Sequence, residues 1–383
     1  MNMIDAGFGG QETHVLNLYK RLSERGRRPL LVVMADSPLH RHVLQACLRC
    51  YALRHYRLPG SYRLLSLLLS VVLLWVCSRH GVQVIHCNNR FELRSALWVA
   101  KFLDLRVILN YHVTAEFETK ILEGTDAFVA PAPRIVDFVA KQNRVKALGL
   151  RQVRVLPPVF DADKFIAYRS MASPAEWFRT TFGIEIKPCP VICTIGNMVQ
   201  DLQHKNYPLL FEALAILIHA KRTPVQAVLA GDGPVRSFLD GLARNLNIRD
   251  YVHFLGATSE HTPGVLHHSD VFVLASSREA FGIVYLEAGL MRKPSIGARR
   301  TGAENIIVDK ETGLLFENGS PESLAAAIGE FVESPSYARQ LGTQASVHIM
   351  AHFSPAWVVE QYEHLYASLI SAPHDQSVAG GTG

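Results

Sequence analysis

Short runs of apolar, often β-branched residues alternate along this chain with longer stretches in which apolar residues recur every three or four positions. In the first half, "PLLVVM" (29–34), "VQVIHC" (82–87), "RVILNYH" (106–112), "AFVA" (127–130) and "VRVLPP" (153–158) predict strands, with helices between them as over Glu12 to Glu24 and Arg90 to Leu103. The second half repeats the alternation with "VICTIG" (191–196), "QAVLAGDG" (226–233), "VHFLG" (252–256), "VFVLAS" (271–276), "PSIGA" (294–298) and "GLLFE" (313–317). Such βαβ alternation predicts an α/β protein with parallel sheets covered by helices on both faces, and two blocks of it predict two doubly wound domains. Pro157-Pro158 breaks the pattern, and a less periodic stretch follows. The expected organisation is a first domain over 1–160, a linker over 161–186 and a second domain over 187–354. The residues at 372–383 are small and polar and are expected to be disordered.

Only Met1-Asn2-Met3-Ile4 precedes the first glycine-rich turn. A doubly wound domain opens with a strand, so that strand is expected to be very short or cut by a misplaced start; the second is the preferred expectation.

Charge adds a polarity to this picture. Residues 1–160 carry 22 Lys and Arg against 11 Asp and Glu, whereas residues 161–383 carry 17 against 23. A basic first half suits an anionic partner such as a membrane leaflet. The most apolar run, "LLSLLLSVVLLWVC" (64–77), has 14 residues, too few to span a bilayer comfortably, and predicts a half-buried helix that can also lie in a membrane interface. No signal-peptide pattern is visible at Met1. The six cysteines form no disulfide framework, and the lone Cys47-x-x-Cys50 lacks a second pair for zinc. A reducing, cytoplasmic setting is the expectation.

Candidate chemistry gathers at strand ends. In "GFGGQETHV" (7–15), Gly9 and Gly10 would let backbone N–H groups approach an oxyanion at a helix start. His86 and His112 end strands at the same sheet edge. "GDGP" (231–234) is a second turn at a strand's carboxyl end, where open α/β sheets bind ligands. Lys205, at the start of a helix after "IGNMVQDLQHK", suits a phosphate. Asp161 and Asp163 sit in the connector and are not expected to hold a metal. In "SREAFGIVYLEAGL" (277–290), Phe281, Gly282 and Ile283 are expected to open a helix and aim N–H groups at a diphosphate. Glu279 and Glu287 flank that opening on the order of 10 Å apart, a spacing that matches the two sugar rings of a nucleotide-sugar.

Six motifs in order resemble one family: "GFGGQETHV", "VIHCNN" with "NYH", "IGNMVQDLQHKNYPLLFEAL", "LAGDGP", "SSREAFGIVYLEAGLMRKPSIG" with Glu279 and Glu287 as an E-x7-E pair, and "FSPAWVVEQYEHLY" at the end. Over nearly all of its length the chain resembles the retaining glycosyltransferases of family 4, with the GT-B fold. The resemblance implies two Rossmann-like domains facing a central cleft, with a C-terminal helix (355–371) crossing back to the first domain. It implies metal-independent, front-face transfer of a sugar, a hexose as the expected case, from a UDP- or GDP-linked donor to an acceptor, here expected to be a lipid-linked or surface glycan on the inner membrane face. No cofactor and no nucleic-acid partner are implied. Residues matching Glu279 contact the donor sugar, and His112 is placed near the transferred sugar; these are the candidate catalytic residues. Gly9, Gly10, Gly196, Asn197, Lys205, Gly231, Phe281, Gly282, Ile283 and Glu287 match donor-binding positions, Glu287 at the ribose and Lys205 at the diphosphate.

The chain departs from the family in two loops. Asn197 stands where an arginine is usual, which removes one of two diphosphate cations; Arg299 or Arg300 is the candidate replacement. "RRTGAENII" lacks the common Gly-Gly-x-Pro-Glu, with Thr301 and Asn305 at the first glycine and the acid. A catalytically silent nucleotide-sugar-binding protein and a nucleotide-sugar epimerase of the same fold are the alternatives. A nicotinamide dehydrogenase fits worst, because no GxGxxG with a following ribose acid is present.

Overall fold

The computed structural model describes residues 9–53, 62–88, 90–112, 124–142, 152–258 and 260–372. The expected opening strand and the polar tail from 373 onward lie outside the described residues. The chain divides into two compact units, Met1–Phe160 with Pro355–Gly383, and Asp161–Ser354.

In the first unit, α1 (Gly10–Glu24) leads to β1 (Leu31–Met34), α2 (Pro38–Gln45), β2 (Cys50–Leu53), α3 (Tyr62–His80), β3 (Val84–Cys87), α4 (Arg90–Leu103), β4 (Arg106–Asn110), β5 (Ala127–Ala130), α5 (Pro133–Gln142) and β6 (Gln152–Val155). All described pairings are parallel, as runs such as "RVILN" and "AFVA", buried on both faces, require. Among the described residues the strands form two pieces, β1-β2 and β3-β4-β5-β6. β1 nevertheless shares one core with β4 and β5, through Leu31, Val33, Ile108 and Val129. β2 is an element that the hydrophobic pattern does not announce. It is four residues long and only half-buried, so it has no apolar run to betray it.

The second unit begins with α6 (Ala162–Ile166) and α7 (Pro174–Phe182), so the stretch expected as a linker holds two helices of this unit. Asp161 caps α6 by accepting from Lys164 N–H, and Ser173 caps α7 by accepting from Glu176 N–H. Then come β7 (Val191–Ile195), α8 (Leu202–Lys205), α9 (Tyr207–Ala215), β8 (Gln226–Ala230), α10 (Arg236–Asn245), β9 (Val252–Gly256), α11 (Thr262–His267), β10 (Val271–Leu274), α12 (Ile283–Leu290), β11 (Ser295–Ala298), β12 (Gly313–Phe316), α13 (Pro321–Glu333) and α14 (Pro335–His352). The six strands form one parallel sheet in the order β12-β11-β10-β7-β8-β9. Leu214, Leu229, Val273, Ile296, Phe316 and Phe331 are core residues of this unit. The order reverses between β10 and β7. Chains leaving these two strands turn to opposite sides and open a crevice at their carboxyl ends.

The last helix, α15 (Pro355–Ser371), belongs to the first unit. Val358, Tyr362 and Leu365 enter that unit's core. Glu363 pairs with Arg25 at 2.8 Å and Arg27 at 2.7 Å, and the Arg106 Nε–H donates to Leu369 O at 3.0 Å.

Candidate functional site

The candidate residues of the second unit lie around the switch point of its sheet. β7 runs out into Gly196 and Asn197, and β10 into the loop that carries Glu279. Lys205, at the end of α8, reaches back across this edge, and its Nζ lies 2.9 Å from Glu279 Oε2. Gly196 makes the reach possible, since a Cβ there would sit 3.0 Å from Lys205 Cε. Tyr207 Oη donates to Gly196 O at 2.6 Å and fixes the loop. Asn206, in a left-handed turn, donates to Ser277 Oγ at 2.9 Å and ties the lysine loop to the Glu279 loop. Burial pushes the Glu279 carboxyl up, but the Lys205 ammonium outweighs it and holds the group below its ordinary range.

Phe281 and Gly282 precede α12, which starts at Ile283, so the helix opens slightly later than the sequence predicts. Gly282 adopts φ +93°, and a Cβ there would strike the Tyr285 ring at 2.6 Å. Only glycine turns the chain into the helix at that point. Glu287 lies inside α12, and burial raises its carboxyl to about 7 against the pull of Lys164.

Gly231 has a structural reason to be glycine. Its Cβ would lie 1.9 Å from Gly196 O, so the "GDGP" turn packs backbone to backbone on the loop after β7, with Met198 N–H donating to Asp232 O at 2.9 Å. Gly302 plays the same part behind the Glu279 loop: its N–H donates to Glu279 O at 2.7 Å, and a Cβ would meet Phe281 N at 2.5 Å. The variant residues of that segment are locally satisfied. Thr301 Oγ1 accepts from Ala303 N–H, and Asn305 Nδ2 donates to Gly302 O. Asn197 is exposed. Arg299 pairs with Asp309 and Glu317, and Arg300 with Glu317, so neither stands free to replace the missing cation.

The first unit gathers a different set. Gly9 is the N-cap of α1, but its N–H donates to Glu12 Oε2 at 3.0 Å. That donor, expected to face an oxyanion, is occupied by the chain's own carboxylate; Gly10 is the first helical residue. One turn on, buried His14 stands 5.0 Å, centroid to centroid, from His112. Val159 N–H donates to His14 Nδ1 at 2.9 Å, so a neutral His14 carries its proton on Nε2. Asn110 Nδ2 lies 2.9 Å from that Nε2 and donates to Tyr362 Oη at 2.9 Å; a proton on Nε2 would instead call for the carboxamide oxygen at this position. His86 Nδ1 lies 2.9 Å from Tyr366 Oη. Burial holds His112 down to about 4 and His86 to about 3, and it lowers His14 well below its usual value. The three rings are neutral hydrogen-bonding groups at pH 7. His112 Nε2 and both carboxamide atoms of Asn88 are buried with no partner among the described residues, and they hold unused capacity for a hydroxylated ligand.

Sequence reasoning placed His86 and His112 at one edge but missed His14, Asn110 and Tyr362, whose positions lie far apart in the chain. The signal for His14 was its place one turn after a glycine-rich helix start.

Two family descriptions match the chain: "Glycosyltransferase Family 4" over residues 8–164 and "Glycosyl transferases group 1" over residues 187–348. A lipopolysaccharide core biosynthesis glycosyltransferase, LpsE of Rhizobium meliloti, is 29% identical over 64% of this chain and 65% of its own length. Of the N-acetyl-α-D-glucosaminyl L-malate synthase of Bacillus anthracis, 33% identical, the match spans 37% of the length. A 2-deoxystreptamine N-acetyl-D-glucosaminyltransferase of Niallia circulans is 22% identical over 96% of this chain and 100% of its own. Among solved structures, Anabaena HepE in complex with UDP and glucose superposes with a TM-score of 0.79 at 19% identity, covering 96% of this chain and 98% of that one.

Proposed function

The chain belongs to family 4 of the glycosyltransferases, with the GT-B fold, and from that premise we propose that it moves a hexose from a UDP- or GDP-linked donor to a glycan acceptor with retention at the anomeric carbon. The observation that carries the reading is the ion pair of Lys205 and Glu279 at the switch point of the second sheet, beside the start of α12. LpsE, a relative named for lipopolysaccharide core biosynthesis, supports a glycan acceptor, and a lipid-linked or surface glycan at the cytoplasmic membrane face is the form proposed.

In this reading the donor's diphosphate takes the place of the Glu279 carboxylate on Lys205. The released Glu279 then accepts hydrogen bonds from hydroxyls of the donor sugar, and Glu287 accepts them from the ribose diol. In the first unit, His112 and Gly10 keep the roles that the resemblance gives them. As the bond from the anomeric carbon to the diphosphate oxygen breaks, negative charge grows on the leaving group. The Lys205 ammonium and the helix-start amides stabilise it. The acceptor oxygen bonds to the same face of that carbon, and its proton passes to the leaving diphosphate. The step needs no enzyme nucleophile and, in this proposal, no metal. With Asn197 in place of an arginine, Lys205 carries a larger share of the charge.

The test is turnover of a panel of UDP- and GDP-sugars by purified protein, with the product's anomeric configuration read by NMR. Retained configuration and loss of turnover in Glu279→Ala are expected. Inversion, or unchanged turnover in that variant, contradicts the proposal. Binding without turnover would favour a silent binding protein, and isomerised donor without acceptor an epimerase.

A further inference from the structure

The solvent side of α3 and α4 does not look like the surface of a protein that meets only water. These helices pack on each other, and α4 also packs on β3 and β4. On α3, Leu69, Leu73 and Val76 point into the unit, whereas Leu67, Val71 and Trp75 recur every four residues on the outside. On α4, Arg94, Trp98, Lys101 and Phe102 share the outer face, at the spacing of one helical stripe. The five apolar side chains on these two faces are 51% to 70% exposed. Trp98 and Phe102 stack on each other at 6.0 Å, and Trp75 meets Tyr51 edge-on at 5.5 Å. A helix that is apolar all round is normally covered on every side.

Three features select what covers it. The exposed side chains are tryptophan, phenylalanine and aliphatics interleaved with cations, the composition of interfacial helices that lie in a bilayer's headgroup region. Arg49, Arg79, Arg94 and Lys101 are exposed around the apolar side chains, and the outer faces of α3 and α4 carry no acid; Asp104 follows α4. The surrounding sequence, 1–160, carries twice as many basic as acidic residues. A second copy of the chain would set these cations against themselves, whereas an anionic leaflet complements them. No helix among the described residues is long and apolar enough to cross a membrane, so this face would rest on the bilayer and not span it.

We propose that the outer faces of α3 and α4 form a docking surface for an anionic lipid bilayer, with Trp75, Trp98 and Phe102 inserted among the headgroups and Arg94 and Lys101 at the lipid phosphates. The proposal rests on the function above only for its purpose, to bring the enzyme to a lipid-linked acceptor. Its test reads binding and not transfer, so the two fail separately.

The experiment is co-sedimentation of the full chain with vesicles of equal parts phosphatidylglycerol and phosphatidylethanolamine, and with phosphatidylcholine alone. Binding to the anionic vesicles, weakened by salt, is expected. Arg94→Gln/Lys101→Gln weakens it about 30-fold, two surface cations' worth. Trp98→Ser/Phe102→Ser weakens it roughly tenfold or more. All these side chains are exposed, so the variants keep the wild-type melting temperature. Equal binding to both vesicle types, no binding to either, or double variants that bind like wild type would overturn the proposal. So would a wild-type dimer in light scattering that Trp98→Ser/Phe102→Ser dissociates, since a second copy would then cover the face.

Discussion

Replacing Lys205 with methionine removes the ammonium and keeps much of the stem that lies over Gly196. At 2.9 Å, two unit charges in an effective dielectric of about 20 attract by about 6 kcal/mol. The two side chains are 17% and 13% exposed, so solvent screening does not erase this attraction. Desolvation of the two ions offsets most of it, and the intact pair contributes little net stability. Losing one partner is different, because it leaves a buried carboxylate without a counter-charge, at a cost of about 3–5 kcal/mol. Lys205→Met is therefore expected to lower the stability of the free protein by about 3 kcal/mol at pH 7. Without the ammonium, burial raises the Glu279 carboxyl. The loss then shrinks as the pH falls and the group takes up a proton. Adding Glu279→Gln to Lys205→Met should restore most of the loss, a coupling of about 3 kcal/mol in the double-mutant cycle. The assay is urea unfolding of the four proteins, followed by tryptophan fluorescence. If the two single losses add to within about 0.5 kcal/mol, the buried-pair reasoning is refuted.

Other outcomes follow from the same structure. In the first unit, burial holds His112 at about 4 against an ordinary 6.5. The unfolded chain therefore takes up a proton between those values that the native state does not, and stability falls as pH drops from 6.5 to 4. The contribution is about 3 kcal/mol for this group; denaturation at pH 7 and 5 should show a slope that His112→Gln reduces. Glu287, raised to about 7, should make nucleotide affinity rise as pH passes upward through 7 and the carboxylate forms. Calorimetric titration of Glu287→Gln should show a flat profile. Gly231→Ala forces a Cβ against Gly196 O and should destabilise by about 3 kcal/mol while it lowers nucleotide affinity; a wild-type melting temperature would contradict the packing argument. Arg278→Ala breaks an ion pair that is half-exposed on both sides and should cost less than about 1 kcal/mol.

The second sheet was largely legible because most of its strands are buried apolar runs, several of them bounded by glycine or proline, as "AVLAGDGP" shows. α7 carries local signals too, a Ser173-Pro174-Ala175-Glu176 start and a left-handed Gly183 stop. β2 was not legible, since a short, half-buried strand has no distinctive period. At the site, local motifs name Gly282, Glu279 and Lys205 singly. They say nothing of a contact between positions 205 and 279, which only the reversal of strand order at β7 and β10 creates. The same holds for His14, Asn110 and Tyr362, which meet because α15 packs into the first unit. Gly9 is the converse case: its motif suggested a free amide, and the Glu12 side chain three residues on takes it.

The central claim is that Lys205 and Glu287 measure out a nucleoside diphosphate along the start of α12. Calorimetric titration with UDP and GDP, and with the corresponding monophosphate of the tighter one, tests it directly. The diphosphate is expected to bind more tightly than the monophosphate, Lys205→Met to remove about 2 kcal/mol of that preference, and Glu287→Ala to weaken both nucleotides alike. A preference unchanged in Lys205→Met, or no nucleotide binding by the wild type, would contradict it.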